Sequence, residues 1–189
     1  MPRWINLPNG VTALRLVLVP FVIQAILQGR HVTALALFAV AAATDVIDGA
    51  AARRFGASTR AGAYLDPIAD KCLLSGVFLA LAAAGAAPWW LVCVIFGRDI
   101  YILLGAALAM CLTSMREFRP SVWGKISTFV QVFTAVSLMA RDVLGAGLAE
   151  RLAAAVAWPC AAFTVWSGVH YTWRILRPRE RIDAVSARE

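Results

Sequence analysis

Four of the chain's eleven acidic residues lie in one stretch, TDVIDGAAARRFGASTRAGAYLDPIADK. Asp45 and Asp48 are spaced i, i+3, and Asp66 and Asp70 are spaced i, i+4. On helices, each pair shares one face. Carboxylates with no histidine or thiolate among them are hard oxygen donors, which suit Mg²⁺, Mn²⁺ or Ca²⁺ rather than zinc. Four of them are enough for two ions that share a substrate, an arrangement suited to displacement at phosphorus. Gly49 and Ala52 follow Asp45 at i+4 and i+7, and Gly62 lies one turn ahead of Asp66. Small residues beside carboxylates leave room for a bulky ligand to approach the backbone.

A purely structural role for these acids is costly if they lie in a membrane. Each buried carboxylate there costs about 2.5–3.5 kcal/mol on insertion scales, and like charges crowded together add to that. Arg53, Arg54, Arg60 and Lys71 could neutralise part of the cluster. The functional reading requires less compensation.

The elements that must position this cluster follow from composition. Of 189 residues, 61% are hydrophobic and 15% charged, with a mean hydropathy of +0.73. Soluble domains are about 45–50% apolar and about 25% charged, so the composition predicts an all-α chain dissolved in a bilayer. It argues against disorder, a disulfide scaffold and a nucleic-acid reader. A spanning helix needs about 20 apolar residues, which predicts six transmembrane helices over 11–29, 32–53, 65–85, 88–113, 123–145 and 151–173. Residues 1–176 form one membrane domain, and 177–189 read as a polar cytoplasmic tail. With the N-terminus in the cytoplasm, twelve Lys/Arg of loops and tails fall on that side, against Arg30, Arg141 and Arg151 opposite. The excess of basic residues inside places both termini in the cytoplasm. MPRWINLPNG, with Trp4 beside Arg3, predicts a short N-terminal interfacial segment. The first apolar run carries Arg15 and no convincing cleavage site, a poor fit to a signal peptide. Cys72, Cys93, Cys111 and Cys160 have no CxxC spacing and read as buried free thiols. Trp4, Trp89, Trp90, Trp123 and Trp173 lie near span ends, as interface anchors do.

The motif Asp45-x2-Asp48-Gly49-x2-Ala52-Arg53-x8-Gly62-x3-Asp66-x3-Asp70 resembles, without a gap, the signature of the CDP-alcohol phosphatidyltransferases. The resemblance extends over essentially the whole chain, from NLPNGVTALRLVLVP through GRDI to WGKISTFVQ. It implies an inner-membrane, multi-pass enzyme of phospholipid biosynthesis with its active site on the cytoplasmic side. Such an enzyme moves a phosphatidyl group from CDP-diacylglycerol to an alcohol and releases CMP. The resemblance further implies two divalent cations, Mg²⁺ or Mn²⁺. Asp45, Asp48 and Asp66 would bind the first, and Asp45, Asp66 and Asp70 the second. Gly49, Ala52 and Gly62 resemble the positions that admit the cytidine, and Arg53 the arginine that contacts the nucleotide. Asp70 resembles the general base. A homodimer is also usual in the family.

For the acceptor, Arg98 is a charged residue inside a span, and Arg119 and Lys125 follow it on the cytoplasmic side. Arg98 and Asp99 are about 100° apart around a helix, which predicts that their side chains diverge and that Arg98 faces a phosphate-bearing acceptor. The GRDI stretch is more similar to the CMP-forming cardiolipin synthases, whose acceptor is phosphatidylglycerol. Phosphatidylglycerophosphate synthases, which use glycerol 3-phosphate, usually carry Arg-Glu there. Both acceptors stay open. The rival readings are a divalent-cation transporter and a non-catalytic membrane protein. An ion pathway should place acids along several helices through the membrane depth, and here they cluster at one end.

Overall fold

A computed structural model of the chain describes residues 7–55, 60–112, 122–144 and 146–176, with side chains described over 13–44, 69–105, 108, 122–140, 151 and 153–173. Six helices account for nearly all of it. They are α1 (Leu7–Leu27), α2 (His31–Phe55), α3 (Arg60–Ala83), α4 (Trp89–Leu112), α5 (Val122–Leu144) and α6 (Ala146–Leu176). No strand occurs among the described residues.

Two helix ends show how sequence stops the helix. Gly29 and Gly85 have φ of 67° and 71°, a left-handed conformation that disfavours any side chain. Arg30 N–H donates to the Ala25 carbonyl at 2.9 Å and Gly29 N–H to the Ile26 carbonyl at 3.0 Å. Ala86 N–H likewise reaches the Leu81 carbonyl at 2.7 Å, and Gly85 N–H the Ala82 carbonyl at 3.0 Å. Both are Schellman caps, which satisfy carbonyls the helix would otherwise leave bare.

α1 packs against both α2 and α3, α5 against α6, α2 and α3, and α4 against α6 and α3. Gly76 of α3 admits α1 closely, since a Cβ there would stand 2.8 Å from Ile23 Cδ1. Along α4 and α6 the contacts Trp90–Trp158, Arg98–Ser167 and Tyr101–Thr172 climb in step, so these two helices run parallel. The buried core is aliphatic and aromatic, with Phe38, Phe78, Leu91, Leu138 and Met139 at its centre.

The outside of the bundle is also largely apolar, and a few polar side chains lie within. Ser127, Gln131, Thr134, Thr164 and Ser167 are buried, while Phe129 is 72% and Trp158 70% exposed. Gln131 Nε2 donates to Thr164 Oγ1 at 3.3 Å, and Thr134 Oγ1 to the Val130 carbonyl at 2.8 Å. Gln131, Thr134, Thr164 and Ser167 thus find partners inside the bundle, as buried polar groups usually do, whereas Ser127 Oγ has none among the described residues. Among the described residues, 122–140 is the stretch long and apolar enough to cross a membrane.

The structure corrects four expectations. Residues 7–10 of the expected interfacial segment belong to α1; residues 1–6 lie outside the described residues. A proline in the first turn costs no intrahelical hydrogen bond, so Pro8 does not delay the helix. α3 begins at Arg60 rather than 65, and α6 at Ala146, running through Gly147. Hydropathy marks the apolar stretch of a helix, whereas the hydrogen-bonded helix continues into its polar ends. Finally, Cys72 and Cys93 are exposed and Cys160 is buried. An apolar neighbourhood in sequence is not burial when the outside of the bundle is itself apolar. Cys111 lies outside the described side chains.

Candidate active site

The second half of α2 carries Asp45, Asp48, Gly49, Ala52 and Arg53, and the first half of α3 carries Gly62, Asp66 and Asp70. Four residues separate Phe55 from Arg60, and so short a connection cannot span a bundle. Both carboxylate pairs therefore lie toward the same end of it. The side chains of Asp45, Asp48, Ala52, Arg53 and Asp66, with Gly49 and Gly62, lie outside the described residues, as does Arg119. Among the described side chains, no group of three metal-binding residues occurs.

Asp70 is described, and it has a partner the motif does not contain. Arg15 of α1 donates from Nη1 to Asp70 Oδ1 at 2.5 Å. The Arg15 side chain is 1% exposed and that of Asp70 is 42% exposed. The sequence signal for Arg15 was present as an arginine inside an apolar run, a costly placement that marks function by default.

The next residue of α3 turns to a different helix. Lys71 Nζ donates to Asp99 Oδ2 at 2.7 Å, and Arg98 Nη1 donates to Asp99 Oδ1 at 2.8 Å. Arg98 Nη2 donates to Ser167 Oγ of α6 at 2.6 Å. The expected divergence of Arg98 and Asp99 is thus overturned. The Cα directions do differ by about 100°, but the long arginine stem folds back far enough to meet the neighbouring carboxylate. Its Cγ packs beside Gly168, 3.6 Å from where a Cβ there would stand. Arg98 is 10% exposed; Nη1 and Nη2 are engaged by Asp99 and Ser167, and its Nε has no partner among the described residues.

Lys125, in the first turn of α5, is exposed. Trp123, two residues earlier, packs edge-on to Trp166 at 6.0 Å and lies 6.2 Å from His170. The start of α5 and Arg98 therefore meet the same stretch of α6, although Arg98 is enclosed and Lys125 is open. Between α4 and α6 lies a cleft of about 380 Å³, lined by Cys93, Gly97, Arg98, Tyr101, Gly168 and Val169 among others.

Residues 5–166 match the family model of CDP-alcohol phosphatidyltransferase. The chain belongs to that family, and it is therefore a transferase of phospholipid biosynthesis that moves a phosphatidyl group. Among individual proteins, it is 38% identical over 183 residues to the probable phosphatidylglycerophosphate synthase of Mycobacterium tuberculosis, covering 93% of this chain and 84% of that one. It is 30% identical over 190 residues to the CDP-diacylglycerol–glycerol-3-phosphate 3-phosphatidyltransferase of Bacillus subtilis, covering 91% and 97%. A probable CMP-forming cardiolipin synthase of Drosophila melanogaster is 32% identical over 146 residues, covering 68% of this chain and 45% of that one.

Proposed function

We propose that this chain is an integral-membrane enzyme that transfers the phosphatidyl group of CDP-diacylglycerol to glycerol 3-phosphate, releasing CMP. The observation that carries the acceptor is the full-length likeness to the synthases of Mycobacterium tuberculosis and Bacillus subtilis, against a partial one to the cardiolipin synthase. The Arg98–Asp99 pair no longer argues the other way. Its members bind each other, Lys71 and Ser167, so an aspartate in place of the usual glutamate bears on helix bracing and not on the acceptor.

The chemistry is a displacement at the β-phosphorus. Asp70 accepts the proton of the acceptor hydroxyl as that oxygen bonds to phosphorus, and the bond to the bridging oxygen breaks, releasing CMP. Asp45, Asp48, Asp66 and Asp70 are all hard oxygen donors and fit two divalent cations, Mg²⁺ or Mn²⁺. When bound, these ions supply neutralisation of the pyrophosphate charge. Arg53 suits a nucleotide phosphate because its planar guanidinium matches two oxygens. Gly49, Ala52 and Gly62 leave the cytidine room. Arg119 and the exposed Lys125 are the cations that take the phosphate of the acceptor. Positioning these groups lowers the barrier along with the proton transfer.

Six helices of 21 to 31 residues are long enough to cross about 30 Å of hydrocarbon at 1.5 Å per residue. Their exposed faces are apolar and their interior seams polar, which is the polarity a lipid solvent selects. The basic excess of the loops orients both termini and the aspartates toward the cytoplasm.

Purified protein given CDP-diacylglycerol with either glycerol 3-phosphate or phosphatidylglycerol distinguishes the acceptors. Phosphatidylglycerophosphate should form from the first mixture. Cardiolipin formed from the second, with no product from the first, would overturn the acceptor.

A further inference from the structure

Arg15 of α1 and Asp99 of α4 hold α3 from two different helices, through Asp70 and Lys71, and the two pairs are built differently. Lys71 is 43% exposed and its partner Asp99 is 19% exposed. In the Arg15–Asp70 pair the cation is fully enclosed and the carboxylate is 42% exposed. Enclosing a guanidinium is costly unless a carboxylate neutralises it, so Asp70 is what makes the enclosed Arg15 tolerable. Here the protein encloses the holder and leaves the held group open. Consecutive residues of α3 point about 100° apart, so tying Asp70 to α1 and Lys71 to α4 fixes the rotation of α3 about its axis. Asp66, four residues before Asp70, shares its face and is set by the same rotation. The close approach at Gly76 against Val19 and Ile23 keeps α1 near enough for the arginine to reach.

We infer that Arg15 is a positioning residue of the transfer reaction, which holds the Asp70 carboxylate from behind in the orientation that accepts the proton of the acceptor hydroxyl. The inference rests on Asp70 being that proton acceptor. It predicts a loss in turnover and not in substrate capture, because Arg15 is enclosed and touches Asp70.

The test is a double-mutant cycle on the full chain in detergent, following CMP release from CDP-diacylglycerol with glycerol 3-phosphate, with thermal unfolding of each variant alongside. Arg15→Met should lower kcat roughly 10- to 150-fold, the range of one charge-assisted hydrogen bond, with the KM for CDP-diacylglycerol little changed. Arg15→Lys should recover part of kcat, since it keeps the charge and loses the fork. In the Asp70→Asn background, Arg15→Met should cost no further rate, as for residues that act as a unit. The same fold-loss in both backgrounds would overturn the inference. So would wild-type kcat in a variant that merely unfolds at lower temperature. Should Arg15→Met fail to fold, Arg15→Lys decides: reduced kcat at wild-type thermal stability supports the inference, and wild-type kcat overturns it. If the wild type releases CMP and Asp70→Asn does so equally fast, the assignment of the base fails, and the role of Arg15 fails with it.

Discussion

Asp70 and Asp99 are both salt-bridged aspartates within the helix bundle, and their surroundings differ in a way that fits the different roles proposed for them. Asp99 is gripped by Lys71 and Arg98 from two helices and is 19% exposed, the environment of a brace. Asp70 is held by Arg15 and stays open, the environment of a group that meets a substrate. Asp70→Asn should therefore cost about 10²–10⁴-fold in kcat, the usual contribution of a general base, while CDP-diacylglycerol still binds. Asp45→Asn or Asp66→Asn should instead abolish metal-dependent binding of CDP-diacylglycerol, measurable by calorimetry. Arg98→Ala is expected to act on stability. Removing one partner of a buried pair costs about 3–5 kcal/mol, and less here because Lys71 still neutralises Asp99. A lowered unfolding temperature with an unchanged KM for glycerol 3-phosphate would bear this out. An acceptor KM raised at wild-type stability would return Arg98 to the acceptor site.

At the scale of the helices, what the residues require is a fixed rotation and depth for α3. Gly85 ends that helix and Gly29 ends the neighbouring α1, both through a left-handed residue. Alanine at either position should cost about 1 kcal/mol of stability, lowering the unfolding temperature by about 2–4 °C for a chain of this size. The apolar runs of the sequence located all six helices, and the prolines and glycines between them located the turns. The polar ends escaped that reading, since Arg60 and Gly147 are helical without being apolar. The carboxylate spacing placed the acids on helix faces, but no periodicity in α1 says that Arg15 meets Asp70 fifty-five residues away. That contact depends on the parallel packing of α1 on α3, a tertiary fact. An arginine inside an apolar run nonetheless asks for a partner, and Arg15, Lys71 and Arg98 all fall inside the expected spans. All three are in ion pairs in the fold.

For the whole molecule, the order of the chain and its solvent account for the design. Polar side chains face inward along α5 and α6, and Phe129, Leu103 and Trp158 face outward, an arrangement that supports the proposed lipid surroundings. The carboxylates gather toward one end of the bundle because only four residues separate the helices that carry them. Activity should vanish with EDTA and return with Mg²⁺ or Mn²⁺, but not with Zn²⁺ alone, because the donor set is all carboxylate. Full turnover in a metal-free preparation would sink the proposed ions without touching the family assignment. The central claim, phosphatidyl transfer from a CDP-lipid, is tested most directly by CMP release from CDP-diacylglycerol by the purified protein in detergent with Mg²⁺, with and without glycerol 3-phosphate. The account predicts CMP in step with a new phospholipid that carries the added glycerol phosphate, and little CMP when the acceptor is left out. CMP released at the same rate without acceptor, or none released with it, would contradict the account.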